Sequence, residues 1–235
     1  MNQNLVSTRY TKQVQVANVR KNLSINRADK LEQIVVERNF RFELVQTNEP
    51  ITHVLFAFHG YGQLVTYFKR KFSALNLPNT LIVFPEGMHR FYLNGSSGRV
   101  GASWMTKEWR ENDIQENNHA LNTLFQHINA KYNPAKISVL GFSQGGATAA
   151  RWVAASSFQC DHFIAWGSVF PPDLIDEKNE LVATKKTAVF GNQDPYFPTT
   201  ELEKIQTDYT KQNFKCVIFE GAHDIEATTL KTIFA

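Results

Sequence analysis

The stretch Ile137–Ala150, ISVLGFSQGGATAA, decides how the rest of the chain is read. Strand-forming residues run into Gly141, a serine stands between glycines placed two before and two after it, and alanine-rich helix follows at once. A serine on so tight a strand-to-helix turn is held in a strained backbone conformation, and the glycines let strand and helix close around it. The outcome is a hydroxyl exposed at the carboxyl end of a sheet, above a helix N-terminus whose dipole favours negative charge. The spacing predicts that the first helical amide, that of Gln144, faces an oxyanion. A phosphate-binding turn is the competing reading; it calls for a Lys-Ser or Lys-Thr ending, and none follows.

Outward from this corner, His53–Phe58 (HVLFAF) and Thr80–Phe84 (TLIVF) are unbroken apolar runs, as strands buried on both faces of a parallel sheet require. Tyr67, Phe68, Phe72 and Leu75 recur between them at helical spacing. Ile114, Leu121, Leu124, Phe125 and Ile128 predict a helix over Lys107–Lys131, with Thr106 as its N-cap. Strands His162–Trp166, Thr187–Phe190 and Phe214–Phe219 then alternate with helices Gln144–Ala155 and Glu201–Lys211, and with a last helix capped by Asp224. This alternation predicts an α/β fold: a mostly parallel, doubly wound sheet of about eight strands with helices on both faces. Ile34–Glu37 and Phe40–Gln46 are expected to add an antiparallel edge. Residues 1–30 read as a polar extension, with Val14, Val16 and Val19 hinting at a short strand. Residues 31–235, which hold no linker, read as one domain.

Composition narrows the function. At 43% hydrophobic and 20% charged the chain is an ordinary globular one, and a net charge of +3 without a long basic run argues against a nucleic-acid partner. The triplet Lys69-Arg70-Lys71 reads as a solvated helix face. No apolar run is long enough to span a bilayer or form a signal peptide, so a cytoplasmic protein is expected. Cys160 and Cys216 read as buried thiols rather than a bridge, and no Cys/His spacing suggests a metal; neither metal nor cofactor is expected.

A serine hydroxyl is a weak nucleophile until a base takes its proton and a third group orients that base. In sheets of this kind the partners follow in the order acid, then histidine, each past a strand end. Asp194 lies just beyond the strand ending at Phe190, and His223 just beyond the one ending at Phe219. The other acids fit less well: Asp173 and Asp176 precede a further strand, and Glu220 abuts the histidine. His53 and His162 open strands, while His119 and His127 lie on the long helix. A second oxyanion donor is expected in His59-Gly60-Tyr61-Gly62, where the Tyr61 amide is the natural choice and the His59 side chain bonds within its loop. Phe91, Tyr92, Trp104, Met105 and Phe197 are expected to line a substrate pocket. About twenty residues, Gly167 to Lys186, precede the acid's strand, too few for a lid domain, so the site is expected to be partly open.

These motifs together resemble the phospholipase/carboxylesterase family of α/β hydrolases, which includes small carboxylesterases and acyl-protein thioesterases. The resemblance runs from about Phe42 to the C-terminus on HGYGQ at His59, FPEG at Phe84, GRVGASWM at Gly98, GFSQGG at Gly141, GNQDPYFP at Gly191 and GAHDI at Gly221. It implies an α/β-hydrolase fold, a Ser143–His223–Asp194 triad, oxyanion amides at Tyr61 and Gln144, and a small-molecule ester as substrate. Trp104 leads into Met105-Thr106-Lys107 where family thioesterases carry an aromatic residue and an aspartate, which favours a general esterase. Thioester or lysophospholipid hydrolysis by the same triad, and ligand binding without turnover, are the alternatives.

Overall fold

The computed structural model describes residues 32–175 and 181–235. Seven strands form one sheet: β1 (Phe42–Gln46), β2 (His53–Phe58), β3 (Thr80–Pro85), β6 (Lys136–Phe142), β7 (Cys160–Trp166), β8 (Ala183–Gly191) and β9 (Lys215–Phe219). Their order is β1-β3-β2-β6-β7-β8-β9, with β1 antiparallel to β3 and every other pair parallel. The period-two alternation of a strand sends successive residues to opposite faces. Val54, Phe56 and Phe58 of β2 therefore join one apolar layer, with Leu121, Leu124 and Trp152 from helices Arg110–Tyr132 and Gln144–Ala155. Leu55 and Ala57 join the other, with Phe68, Phe72, Leu230 and Ile233. Covered on both sides, the sheet needs the unbroken apolar runs the sequence carries.

Several local expectations are corrected. No strand forms over Ile34–Glu37, since β-branched residues make a strand only where a ladder partner exists; the edge is β1 alone. The stretch around Phe91, to which the sequence pattern assigns no element, is a hairpin in which β4 (His89–Tyr92) pairs with β5 (Val100–Ser103). The residues around Phe68 make one short helix, Val65–Phe68, continued by a 3-10 turn, Lys69–Phe72. The long helix begins at Arg110, after Trp109 in the left-handed region, and Thr106 does not cap it. Instead Asp113 reaches back from the first turn to accept the Thr106 amide at 3.1 Å. The last helix, Ala227–Phe234, is capped by Glu226, whose oxygens accept the amides of Thr228 at 2.7 Å and Thr229 at 2.6 Å. Those amides hold its carboxyl down at about 2, and Asp224, the expected cap, pairs with Lys71. The hint at Val14, Val16 and Val19, the boundary at residue 30, and Asp176 lie outside the described residues.

Candidate active site

Ser143 directly follows the central strand β6 with φ 54° and ψ −124°, a backbone conformation that costs roughly 1–3 kcal/mol for a residue with a side chain. The surroundings hold it there. Its amide donates to the Trp166 carbonyl at 2.8 Å, and its own carbonyl accepts from Gly146 at 2.9 Å. A Cβ on Gly141 would collide with the Gly146 backbone, and one on Gly145 with the His59 carbonyl. The glycines thus bring strand, helix and the loop after β2 into backbone contact, as the sequence motif implied.

Asp194 and His223 meet across two loops zipped together by backbone. Asn192 and Gln193 donate to the carbonyls of Phe219 and Gly221, both at 2.9 Å, and the Asn192 side chain accepts the Gly221 amide at 3.1 Å. The Asp194 carboxylate is buried and both its oxygens are used: Oδ1 accepts the Tyr196 amide at 2.9 Å, and Oδ2 lies 2.6 Å from His223 Nδ1. Rings of Phe142 and Tyr196 flank the imidazole at 4.8 and 4.7 Å. Gly167 makes room for it, since a Cβ there would stand 3.1 Å from His223 Cε1. His223 therefore packs on the residue before Ser143 and on the one after the carbonyl that binds the Ser143 amide. Among the described residues no hydrogen bond joins Ser143 Oγ to the imidazole; such contacts often tighten only around a bound substrate.

The loop after β2 is the third component. A Cβ on Gly60 would lie 3.1 Å from Ser143 Cβ, so this loop borders the serine. The amides of Tyr61 and Gln144 donate to no backbone carbonyl among the described residues, whereas the neighbouring Gly62 amide is taken by Ala102 at 2.8 Å. His59 is fully buried, with Nδ1 2.7 Å from the Gly60 carbonyl and Nε2 accepting the Gly87 amide at 2.9 Å. With Nε2 an acceptor, Nδ1 carries the proton and the ring is neutral. Burial pushes its pKa down to about 4. Nδ1 thus bonds within the loop, as the sequence predicts, while Nε2 ties that loop to the segment after β3.

The expected pocket residues divide. Phe91 lies against Tyr61, ring centroids 5.2 Å apart, and Tyr92 is exposed on the same hairpin. Phe197 is buried 6.2 Å from the imidazole, and Met105 is half-buried with Sδ 3.8 Å from Arg151 Nη1. Trp104 is a correction: it has no exposed surface, because its indole lies on His59 and Phe58 and its Nε1 donates to the His59 carbonyl at 2.9 Å. It supports the loop from beneath and presents no wall to a ligand.

Two contributors went unread in the sequence. The Gln144 side chain accepts the Trp104 amide at 3.0 Å and donates to the Met105 carbonyl at 2.8 Å, fastening the strand exit of β5 to the serine's helix. Glu86 is buried, with Oε2 accepting the Val65 amide at 3.2 Å and Oε1 3.3 Å from Arg90. Its place in FPEG, just past a buried strand, was the available signal. Among the described residues no cluster of His, Cys, Asp or Glu is arranged to hold a metal ion, and no helix is long and apolar enough to cross a membrane. Burial drives the Cys160 thiol up to about 12, which leaves it inert near neutrality.

Comparison with known proteins identifies the family and the fold. The family model described as Phospholipase/Carboxylesterase matches residues 39–234. Among solved structures, esterase PE8 is 17% identical with a TM-score of 0.65, the match covering 84% of this chain and 98% of that one. The acyl-protein thioesterase 2 of Zea mays is 14% identical with a TM-score of 0.64, covering 82% and 95%. A Bacillus cereus carboxylesterase is 14% identical with a TM-score of 0.59, covering 83% and 91%. No curated protein sequence matches the chain.

Proposed function

The chain belongs to the phospholipase/carboxylesterase family of ester-bond hydrolases, and from that premise we propose that it is a serine carboxylesterase in which Ser143, His223 and Asp194 act as a triad on small to medium esters. The observation that carries the reading is the 2.6 Å contact between Asp194 Oδ2 and His223 Nδ1, at the same carboxyl end of the parallel strands as a serine held at φ 54°. A buried carboxylate on Nδ1 fixes the proton there and leaves Nε2 free to act as base.

In this scheme His223 Nε2 takes the hydroxyl proton as Ser143 Oγ attacks the ester carbonyl. The tetrahedral oxyanion is held by the Tyr61 and Gln144 amides, each such donor being worth roughly 2.7–4 kcal/mol of barrier. The imidazolium, stabilised by Asp194, returns its proton to the departing alcohol, leaving an acyl-serine. Water, deprotonated by His223, then attacks that acyl group and restores the free serine. The neighbouring backbone donors of the Tyr61 loop are committed, the Gly60 amide to Gln63 Oε1 at 2.9 Å, the Gly62 amide to the Ala102 carbonyl at 2.8 Å and the Gln63 amide to the Gly60 carbonyl at 3.3 Å, which supports a Tyr61 amide set in place before substrate arrives.

Labelling with a fluorophosphonate probe tests the reading. Ser143 is expected to be the labelled residue in folded protein, with 4-nitrophenyl butyrate turned over by the wild type and not by Ser143→Ala. A folded chain that neither labels nor turns over the ester is a hydrolase-fold binder instead.

A further inference from the structure

We propose that the groove beside the Tyr61 loop is a subsite for an anionic substituent of the substrate, a carboxylate or a phosphate. This rests on the ester-hydrolase reading and gives it a substrate class. The groove has a volume of about 880 Å³ and runs between the loop after β2 and the β4–β5 hairpin. Gly62 and Gln63 line it from the loop, Tyr67 from the short helix after that loop, Arg70 and Lys71 from the 3-10 turn that continues the helix, and Arg99 from the hairpin. Three of its lining residues are cationic and none is acidic.

The pairing of nearby charges is selective. Lys69, in the same basic triplet, is neutralised by Glu43 at 2.6 Å, and Arg41 and Arg90 share the buried Glu86 at 3.5 and 3.3 Å. Arg70 instead lies over the Tyr67 ring, 5.0 Å from its centroid, and neither Arg70 nor Arg99 forms an ion pair among the described residues. The basic triplet, expected as a solvated helix face, is thus divided: Lys69 is paired with Glu43 and Lys71 with Asp224, while Arg70 lines the groove without an ion pair among the described residues.

Position links the groove to the reacting centre. Gly60 borders Ser143, and Gln63, three residues on, lines the groove while its Oε1 accepts the Gly60 amide at 2.9 Å. Three Cα–Cα steps span at most about 11 Å. From the other side Lys71 is ion-paired with Asp224, the residue after His223. Gln63 therefore marks a rim of the groove no more than about 11 Å from Gly60, a distance that a substituent of up to roughly nine bonds covers, and inside the groove two walls exclude part of the solvent and strengthen attraction to an anion.

The test compares matched esters on wild type and on the double variant Arg70→Gln/Arg99→Gln, whose altered side chains are exposed. One pair places the anion on the acyl side, 4-nitrophenyl hydrogen succinate against 4-nitrophenyl butyrate. The other places it on the alcohol side, glycerol 3-phosphate monobutyrate against glycerol monobutyrate. The double variant is expected to lose roughly fivefold in kcat/KM on at least one anionic ester, with both neutral esters unchanged. Raising sodium chloride to about 0.5 M should shrink the wild type's advantage in the same way. Equal effects of the double substitution on anionic and neutral esters would overturn the proposal while leaving the hydrolase reading intact. If no ester is turned over at all, that reading fails. The groove is then judged by calorimetry with succinate and inorganic phosphate, whose affinity the double variant must weaken.

Discussion

The indole of Trp104 lies on the imidazole of His59, ring centroids 5.0 Å apart and planes inclined by 29°, while its Nε1 donates to the His59 carbonyl. A residue far along the chain thus forms the floor under the loop that presents the Tyr61 amide. Trp104→Ala should remove the floor and the bond together. Its expected cost is about 3–5 kcal/mol of stability, as for other buried aromatics, read as a lowered denaturant midpoint. A loss below 1 kcal/mol would show that the loop does not depend on this contact.

Relief of strain at Ser143 is separable from its chemistry. Ser143→Gly should raise stability by about 1 kcal/mol, because glycine adopts φ 54° at little cost. The same protein should hydrolyse no ester. A glycine variant that is less stable than wild type would mean the backbone is not strained in solution.

Asp194→Asn keeps the size of the side chain and removes the charge beside Nδ1. Turnover should fall by roughly 10³–10⁴-fold through the wrong imidazole tautomer, with fluorophosphonate labelling slowed in parallel. Activity within tenfold of wild type would take Asp194 out of the mechanism.

Acid should destabilise the fold well above the range where carboxylates protonate. Burial holds His53 and His59 at about 4 and His162 at about 3, against 6.5 for a free imidazole. His53 and His162 bond to Ser138 and Thr187, each at 2.9 Å, inside the sheet. Because the folded values lie below the unfolded one, the unfolded chain binds protons that the native chain refuses between about pH 6.5 and 4. Stability is therefore complete above pH 6.5 and declines as pH falls through that window, by a few kcal/mol in order of magnitude. Urea midpoints taken from pH 7.5 to 4.5 check this. A flat profile would contradict the burial argument, and His162→Gln should make the slope shallower.

Much of the fold was legible because its signals are local. The apolar runs of β2 and β3, the glycines about Ser143, and the loops ending strands at Phe190 and Phe219 each follow from spacing along a single segment. Helix ends were not legible in the same way. Thr106 and Asp224 are good capping residues by type, yet Asp113 claims the amide of Thr106, Lys71 claims Asp224, and Glu226 caps the last helix. The β4–β5 hairpin was hidden because its strands are four residues each, too short for alternation to register.

Taken alone, the sequence determined the α/β order, the strand-to-helix corner that strains Ser143, and the two strand exits carrying Asp194 and His223. All of these depend on backbone sterics and on side-chain period within one stretch. Only the tertiary structure decided which polar group each residue answers: that Gln144 clasps the exit of β5, that Trp104 turns inward beneath His59, and that Arg70 and Arg99 border one groove without a carboxylate between them. Such pairings are set within about 3–5 Å by loops distant in sequence. Several residues compete for each partner, so the choice belongs to the folded arrangement and not to any one segment.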